Sequence, residues 1–404
     1  MTLKIGLVRE GKIPPDKRVP FTPLQAEEIQ QRFPGVGIIC QESDVRAFHD
    51  EEYRERNIEV RKKIEACDVL MGIKEVQIKD LIADKTYLFF SHTLKKQPHN
   101  KKLLQEVLRK NITLIDYEAL KDRLGNRLVA FGRYAGIVGA YNALWTYGIR
   151  FNLFTIRRAY ECFDVNDLKR ELRKVHLPPI KIILTGAGRV GRGAMETLDT
   201  ANIRKVNADD FLSKHFDEPV YVQLSSADYH SRRVGGHFNR EEFHTYPERY
   251  DSTFKAFATK ADVLIAGAYW NPKAPLLFSI EEMRHSDFKI KVIADITCDI
   301  NGSIPSTKRA TTIVDPLYDY DPASDAIKPA FSDVNFTTVM AIDNLPCELP
   351  RSASEEFGRD LIDKILHPLI IEDKEGVIDR ATIARNGQLT EHFQYLKDYV
   401  AGHN

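Results

Sequence analysis

The sequence predicts an α/β protein with two Rossmann-like parallel-sheet domains, an interdomain cleft and a discontinuous N-terminal domain. Three observations lead to this fold class. Short apolar runs alternate with helical segments twice along the chain. A Gly-Ala-Gly-Arg-Val-Gly turn at 186–191 follows the first strand of the second series. Helical segments after the second series can carry the chain back to the first domain.

In the first series, five apolar runs are predicted as strands, at 3–8, 36–40, 68–73, 86–90 and 112–115. The segment Thr-Pro-Leu-Gln at 22–25 combines a capping box with proline at the first helical position, which predicts a helix over 24–33. The apolar run at 128–149 contains Arg133 and Asn142, which are costly in a bilayer, so it predicts a buried helix.

The second series begins after Pro178-Pro179 and predicts strands at 180–185, 204–206, 220–224, 262–266 and 291–295. The segment 225–254 is polar and aromatic without clear periodicity, which indicates an insertion. From Thr337 onward the sequence looks helical, most clearly at 360–371 and 389–400. We therefore expect a first domain of residues 1–134 plus 337–404 and a second domain of residues 135–336.

The composition excludes several classes of protein. Hydrophobic residues make up 43% and charged residues 29% of 404 residues, as in ordinary soluble domains. The 58 basic residues balance 58 acidic ones, so we expect no nucleic-acid and no membrane partner, and the oligomeric state stays open. The five scattered cysteines and the charged N terminus favour a cytoplasmic location, and no metal-site pattern is visible.

The strongest motif is the G-x-G-x-x-G spacing of Gly186, Gly188 and Gly191, with Arg189 and Val190 between the last two. It follows a β-branched strand and opens a helical pattern, which is the context that a dinucleotide site requires. The first glycine permits the turn, the second lets the backbone approach the pyrophosphate, and the third lets helix pack on strand. The motif predicts NAD or NADP as cofactor.

The choice between the two cofactors stays open at this stage. An acid at the end of the next strand would favour NAD. Asn207 ends that predicted strand, and Asp209 favours NAD only if it folds back. Arg232 and Arg233 could receive a 2′-phosphate if the insertion closes over the site, although two exposed arginines are more often solvated. Asp295 ends a later strand, where capping of a loop is the simplest role.

Ionisable residues follow two apolar strands of the first series. Lys74 comes after the strand at 68–73, and His92 comes after the strand at 86–90. If those strands are adjacent, the two side chains share one site, where desolvation lowers the pKa of a lysine. Histidine titrates near neutrality and can shuttle protons. On these residues alone, a surface lysine and a hydrogen-bonded histidine are the commoner outcome.

Other charged residues have structural roles that are equally consistent with their positions. Arg18 lies in a loop before the predicted helix, where it can clamp a substrate carboxylate or stay exposed. Glu118 and Arg127 bracket a turn at Gly125-Asn126 and can form a structural ion pair. Asp343 precedes Asn344 and suits an N-cap.

Several segments occur in one order along nearly the whole chain, and together they carry a family resemblance. They are 17–18 with 22–23, 72–75, 85–93, 116–118, 129–132 with 135–136, 246–250, 295–304 and 342–350. They resemble the lysine–2-oxoglutarate reductase family, which forms saccharopine. The family comprises fungal saccharopine dehydrogenase (L-lysine-forming) and the reductase half of aminoadipic semialdehyde synthase, and it belongs with alanine dehydrogenase and transhydrogenase in one superfamily.

The resemblance implies a role for individual residues. Lys74 and His92 match the catalytic acid–base pair of the family. Positions that bind or orient substrate are matched by Arg18, Lys95, Glu118, Arg127 and Asp343. The cofactor-binding candidates are Gly186, Gly188, Arg189, Val190, Gly191, Asn207 and Asp295.

The implied reaction is the NAD(P)-dependent condensation of L-lysine with 2-oxoglutarate through an imine that is reduced by hydride, or the reverse reaction. We expect His92 to protonate the leaving hydroxyl and Lys74 to hold the balancing proton. The expected partners are therefore small molecules, an amino acid and a 2-oxo acid. An alanine dehydrogenase or another amino-acid or opine dehydrogenase is the alternative, and a non-catalytic nucleotide-binding sensor is a second one.

Overall fold

The computed structural model describes residues 3–402. The chain folds into two compact units. The first comprises the described residues up to Phe131 together with those from Pro350 onward, and the second comprises Gly132–Leu349. The predicted fold class is confirmed: within residues 3–402, each unit contains a mainly parallel sheet of eight strands, and the first unit is discontinuous in sequence.

The N-terminal segment of the first unit alternates strands and helices as predicted. Its elements are β1 (Leu3–Leu7), α1 (Pro23–Arg32), β2 (Val36–Gln41), α2 (Asp50–Arg54), β3 (Glu59–Arg61), β4 (Val69–Met71), β5 (Thr86–Phe89), α3 (Lys101–Arg109) and β6 (Thr113–Asp116). The capping box of α1 is confirmed, because the Gln25 N–H donates to Thr22 Oγ1 at 3.3 Å and the Thr22 N–H donates to Gln25 Oε1 at 3.0 Å.

The second unit begins with a long helix and continues with the second α/β series. Its elements are α4 (Gly132–Arg150), α5 (Val165–Leu172), β7 (Lys181–Thr185), α6 (Arg189–Thr200), β8 (Arg204–Val206), α7 (Ala208–Ser213), β9 (Val220–Leu224), α8 (Ser226–Tyr229), β10 (His230–Arg232), α9 (Arg240–Thr245), β11 (Tyr250–Ser252), α10 (Lys255–Ala258), β12 (Val263–Ala266), α11 (Ile280–Arg284), β13 (Val292–Asp295), β14 (Leu317–Asp321), β15 (Ala326–Lys328) and β16 (Thr337–Met340). The predicted insertion at 225–254 contains the antiparallel pair β10–β11.

Helix α4 is the apolar run that predicted a buried helix, and most of its side chains are buried. It packs against α6 so closely that a Cβ on Gly136 would lie 1.9 Å from the Val190 carbonyl oxygen. A Cβ on Gly193 would lie 2.0 Å from the Arg133 carbonyl oxygen. Glycine at both positions lets the two backbones touch. Within residues 3–402, no helix is long and apolar enough to cross a membrane.

The C-terminal segment belongs to the first unit. Its elements are α12 (Pro350–Lys364), α13 (Leu366–Ile370), α14 (Val377–Ala381), β17 (Thr382–Arg385), β18 (Gln388–Leu389) and α15 (Lys397–Ala401). The predicted helix at 389–400 is largely wrong, since Glu391–Leu396 is a 3₁₀ helix and only α15 is α-helical. Strands β17 and β18 are joined by Asn386-Gly387, with φ of 53° and 71°. Asn-Gly is a sequence pattern that predicts a hairpin turn.

The prediction that the chain is helical from Thr337 onward is wrong at its start. Strand β16 begins there and pairs with β13 in parallel and with β14 antiparallel. Its four residues, Thr-Thr-Val-Met, are all buried, and the β-branched side chains favour a strand between two neighbours. The second unit therefore extends to Leu349, beyond the expected limit at residue 336.

The first sheet has the strand order β18-β17-β6-β5-β4-β1-β2-β3. Neighbours among β1 to β6 pair in parallel, and β17 joins β6 antiparallel. Apolar side chains cover both faces, with Leu7 and Leu88 in one core cluster and Leu70 and Phe89 in the other. The carboxyl ends of β1, β4, β5 and β6 consequently lie side by side at one edge of this sheet.

The second sheet has the order β15-β14-β16-β13-β12-β7-β9-β8. Strand β9 lies between β7 and β8, so the strand that follows β7 in the chain is not its neighbour. The burial pattern explains the exchange. In β8, Arg204 and Lys205 are exposed, whereas four of the five residues of β9 are buried. A short, charged strand suits a sheet edge, and the apolar strand takes the inner position.

Candidate active site

Lys74 and His92 follow adjacent strands of the first sheet. Lys74 comes shortly after β4 and His92 shortly after β5, and these two strands pair in parallel. The structure thus places both residues at one edge of the sheet, as the sequence suggested. His92 adopts a left-handed backbone conformation with φ of 50°. The preceding residue is anchored by Asp116 at the end of β6, which accepts the Ser91 N–H at 2.9 Å and the Ser91 hydroxyl.

His92 is paired with a carboxylate that sequence reasoning did not assign to the site. Its Nδ1 lies 2.5 Å from Glu75 Oε1, and its ring stacks on Phe90 with 6.4 Å between centroids. Asn100 Nδ2 donates to Glu75 Oε1 at 3.3 Å and to the Ser91 carbonyl oxygen at 3.1 Å. Because a carboxylate only accepts, Nδ1 carries the proton, and Nε2 is the nitrogen that can exchange one.

Glu75 stays ionised in this arrangement. Burial raises its pKa, but the hydrogen bond and charge of His92 outweigh burial and, with Lys12, lower the pKa to about 2. Lys12 Nζ lies 3.6 Å from Glu75 Oε2. The signal available in the sequence was its position directly after Lys74 at the end of a buried strand. A carboxylate directly after Lys74 is a candidate for the same site as Lys74.

Lys74 is surrounded by charges of both signs. Burial lowers its pKa, and the positive charges of Arg18 and Lys12 lower it further. The backbone N–H groups of Ile73 and Lys74 donate to the two oxygens of Glu10 at 2.5 and 3.0 Å. Burial and the charge of Asp16 raise the pKa of Glu10 to about 8. A lysine and a carboxyl group with pKa values shifted toward neutrality therefore lie together.

Arg18 is buried, not exposed in its loop, with a side-chain exposure of 3%. Its Nε and Nη2 donate to the two oxygens of Asp16 at 3.0 and 2.6 Å, and its guanidinium lies 4.1 Å from the Phe131 ring centroid. The bidentate pair fixes the orientation of the arginine.

The other substrate-binding candidates lie in different surroundings. Arg127 is paired with Glu118, as the structural alternative predicted. The Glu118 N–H donates to Asp116 at 2.7 Å, which ties this pair to the end of β6. Lys95 is exposed in the loop after His92, within the first unit. Asp343 is exposed and belongs to the second unit, shortly after β16.

The three glycines of the turn after β7 each meet the requirement of a dinucleotide loop. Gly186 has φ of 99°, which only glycine adopts readily. A Cβ on Gly191 would lie 2.1 Å from the Gly186 carbonyl oxygen, so the third glycine permits the packing of α6 on β7. A Cβ on Gly188 would meet nothing within 4 Å, which leaves room for a pyrophosphate. Arg189 and Val190 form the first turn of α6. The loop fits a dinucleotide.

The two polar cofactor candidates are engaged in local hydrogen bonds. Asn207 lies at the end of the edge strand β8, and its side chain accepts the Asp210 N–H at 2.8 Å as the N-cap of α7. Asp295 is 1% exposed and accepts hydrogen bonds from the Thr297 hydroxyl at 2.6 Å and the Thr307 hydroxyl at 2.7 Å. Burial raises the pKa of Asp295 although these bonds oppose the shift. Its observed role is to organise the loop after β13.

Two chemical features complete the description. All five cysteines are free thiols. Within residues 3–402, no three His, Cys, Asp or Glu side chains are grouped as a metal site would require.

Comparison with known proteins agrees with this arrangement. The family model described as the alanine dehydrogenase/PNT N-terminal domain matches residues 6–138. Among solved structures, an L-alanine dehydrogenase superimposes with a TM-score of 0.63 at 15% identity, covering 98% of this chain and 100% of that one. A transhydrogenase from Sinorhizobium meliloti superimposes with a TM-score of 0.60 at 13% identity, over 96% of this chain and 98% of that one. At these identities the superpositions show the fold.

The sequence relatives are more specific. The mitochondrial alpha-aminoadipic semialdehyde synthase of Rattus norvegicus is 32% identical over 444 residues, which covers 97% of this chain and 47% of the relative. This chain therefore spans about half the length of such relatives. The saccharopine dehydrogenase [NAD(+), L-lysine-forming] of Neurospora crassa is 26% identical over 369 residues, with 87% of each protein covered. Over most of its length the chain is thus similar to proteins named alpha-aminoadipic semialdehyde synthase and saccharopine dehydrogenase (L-lysine-forming), and its residues 6–138 match the alanine dehydrogenase/PNT N-terminal domain, which together identify it as an oxidoreductase.

Proposed function

We propose that this protein catalyses the NAD(P)-dependent condensation of L-lysine with 2-oxoglutarate to saccharopine, or the reverse oxidation. The observation that carries the proposal is the group formed by Lys74 and the His92–Glu75 pair at the carboxyl ends of adjacent strands. The similarity to lysine-forming saccharopine dehydrogenases over 87% of this chain supports the choice of substrates.

The reaction needs proton transfer at several steps. An amine adds to the 2-oxo carbon to give a carbinolamine, and loss of water gives an imine. The amine must lose a proton and the departing hydroxyl must gain one, so the site needs groups that donate and accept near neutral pH.

His92 suits the donor role. Its Nδ1–H is held by Glu75, which fixes the tautomer and leaves Nε2 to give a proton to the departing hydroxyl. Because Glu75 has a pKa of about 2, it stays negative and stabilises the ring when the ring is charged. Asn100 and Phe90 restrict the orientation of the pair.

Lys74 suits the acceptor role. Its lowered pKa increases the fraction of neutral amine, which can take a proton from the substrate ammonium group. Glu10 holds the Lys74 backbone and can exchange a proton near pH 8. Arg18, fixed by Asp16, would orient a substrate carboxylate, an effect that contributes several kcal/mol in well-aligned sites.

The remaining substrate contacts are proposals from the family resemblance. Lys95, Glu118, Arg127 and Asp343 would bind or orient the two substrates. Gly186, Gly188, Arg189, Val190 and Gly191 would hold the pyrophosphate of the cofactor. When bound, the nicotinamide supplies the hydride that reduces the imine carbon.

The direct test is absorbance at the reduced-nicotinamide band, with the purified chain, NADH or NADPH, L-lysine and 2-oxoglutarate. We expect oxidation that requires both substrates. Lys74→Met should remove it, while Lys79→Met, which changes an exposed lysine of the same loop, should not. Oxidation with pyruvate and ammonia would instead establish an alanine dehydrogenase. Cofactor binding without turnover on any amine would favour a sensor.

Location and partners follow from the same proposal. We propose a cytoplasmic enzyme with small-molecule partners, on the evidence of its five free thiols and balanced charge. The rat relative is named as mitochondrial, so fractionation of source cells with an antibody against this chain is the appropriate test. Recovery in the mitochondrial fraction would contradict the cytoplasmic location.

A further inference from the structure

The strand beside the glycine loop is not the strand that follows it in the chain. Strand β7, which leads into the loop, pairs with β9 over all five of its residues, from Lys181 to Thr185. Strand β8 pairs only with β9, at the edge of the sheet. The Gly186 N–H donates to the Leu224 carbonyl oxygen at 2.9 Å, so the first glycine of the loop is bonded to the end of β9.

This position determines where the adenosine ribose of a dinucleotide is recognised. In sheets of this type, the strand beside the glycine-loop strand ends at the ribose, and a carboxylate there accepts the ribose hydroxyls. In this protein that strand is β9. Asn207 and Asp209 follow β8 instead, one strand farther from the glycine loop.

A carboxylate follows β9 closely, at Asp228 in the short helix α8. Asp228 Oδ2 accepts the Ser225 N–H at 2.6 Å and the Ser225 hydroxyl at 2.7 Å, and Ser225 directly follows Leu224. The Asp228 side chain is exposed. Within residues 3–402, no group donates a hydrogen bond to its other oxygen, Oδ1. Asp228 is thus oriented by two hydrogen bonds and has an oxygen available to a ribose hydroxyl.

A small pocket lies beside Ser226, two residues before this carboxylate. It opens at the carboxyl ends of β7, β9 and β12, next to Ser226. Its walls include Thr185, His230, Ala268 and Trp270.

The nearby arginines are paired with acids. Arg232 pairs with Glu242 at 2.7 Å, and Arg249 pairs with the same carboxylate at 3.0 Å. Arg233 pairs with Asp251 at 2.8 Å. Three arginines share two carboxylates in these pairs, so one positive charge remains, but a phosphate next to Asp228 would be repelled by its carboxylate.

We propose that Asp228, positioned by Ser225, accepts the ribose hydroxyls of the cofactor and makes this protein prefer NAD(H) over NADP(H). The inference rests on the proposed function only in requiring that a dinucleotide binds. It replaces Asn207 with Asp228 as the residue that discriminates between the two cofactors.

Binding of NADH and NADPH to the full chain, measured by calorimetry without substrates, tests the proposal. The wild-type protein should bind NADH at least about tenfold more tightly than NADPH, as expected for charged hydrogen bonds gained by one ligand only. Asp228→Asn should weaken NADH binding by about tenfold and reduce the preference. Ser225→Ala should weaken NADH binding by a smaller factor, because one of the two bonds that orient Asp228 remains.

Asp209→Asn is the matched control, since it removes an exposed carboxylate near the end of β8. It should leave the Kd of both cofactors unchanged, and thermal unfolding should show that all variants are folded. Tighter binding of NADPH by the wild-type protein would overturn the proposal. So would an unchanged preference in Asp228→Asn, or an equal loss of preference in Asp209→Asn. Because no substrate is present, failure of saccharopine formation would leave this result intact.

Discussion

The two sheets of this protein are built from similar strand series but differ in the position of one strand. In the first sheet, β1 to β6 have the spatial order 3-2-1-4-5-6 that is typical of doubly wound folds. In the second sheet, the corresponding strands β7, β8, β9, β12, β13 and β16 have the order 2-3-1-4-5-6. The exchange moves the end of β9 next to the glycine loop.

Two sheets of the same architecture can place functional residues differently, because their strand orders can differ. In the first sheet, the consecutive strands β4 and β5 are neighbours, so Lys74 and His92 follow adjacent strands. In the second sheet, the order of the strands along the chain differs from their spatial order. Asn207, the polar residue expected near the ribose, therefore follows the outermost strand, β8. Functional positions follow the spatial order of strands, and this order depends on which strand is apolar enough to be covered on both sides.

The largest expected effect concerns the first sheet. His92→Gln should lower turnover by about 100- to 1000-fold, because the donor for the departing hydroxyl is lost. NADH binding should change far less than turnover, because the loop expected to hold the pyrophosphate is formed by other residues, 186–191. Steady-state kinetics and calorimetry separate the two effects.

His99→Gln is the control, because His99 is an exposed histidine seven positions farther along the same segment. It should retain wild-type turnover. If His92→Gln is as active as this control, the acid–base assignment is incorrect and the two sheets do not divide proton transfer and cofactor binding between them.

The next effect concerns the glycine loop of the second sheet. Gly191→Ala should lower the free energy of unfolding by about 3 kcal/mol and remove cofactor binding, since its Cβ would meet the Gly186 carbonyl oxygen at 2.1 Å. Gly188→Ala should change stability by less than about 1 kcal/mol, because its Cβ meets nothing within 4 Å, yet weaken cofactor binding. Urea unfolding and NADH titration measure both quantities. Equal stability of the two variants would contradict the roles given to these glycines.

Much of this architecture was predictable from local sequence. The glycine loop, the capping box at Thr22 and the strands before Lys74 and His92 are each specified within about ten residues, so their patterns can be interpreted without knowledge of the rest of the chain. The Asn386-Gly387 turn was equally local and was missed because the surrounding segment was interpreted as helix.

The parts that escaped prediction depend on pairing between distant segments. Nothing within 204–224 states that β9 packs against β7, although the charges of Arg204 and Lys205 indicate an edge strand. The Glu10 contact with the Lys74 backbone joins residues 64 positions apart. The proposed role of Asp228 in binding the ribose can be recognised only once the strand order is known. Sequence patterns located the strand ends, and the three-dimensional order decided which of them meet.

A smaller effect is expected for Glu10, one of the charged residues near the carboxyl ends of the strands in the first sheet. It concerns the pH dependence of stability. The pKa of Glu10 is raised from 4.5 to about 8, so the folded state holds a proton that the unfolded chain releases. Stability from this group is therefore lost as the pH rises from 4.5 through about 8. Glu10→Gln keeps the neutral form, and its stability relative to wild type should increase by about 2 kcal/mol between roughly pH 5 and 6.5.

Urea unfolding at the two pH values measures this change. Glu65→Gln, at an exposed position of the same unit, should show no such dependence on pH. A Glu10→Gln variant whose relative stability is the same at both pH values would mean that Glu10 is ionised throughout this range, and Lys74 would then have a permanent negative neighbour.

The smallest effect separates the two roles suggested for Arg127, which is exposed and paired with Glu118. Exposed ion pairs contribute little, so Arg127→Ala should change the free energy of unfolding by less than about 1 kcal/mol. If Arg127 also binds substrate, the KM for 2-oxoglutarate should increase severalfold while kcat is retained. Arg123→Ala, which removes an exposed arginine of the same turn, is the matched control for both measurements. An unchanged KM would make the Glu118–Arg127 pair purely structural. The substrate contacts of the first sheet would then be confined to the buried end of the site, around Arg18 and Lys74, where the shifted pKa values also lie.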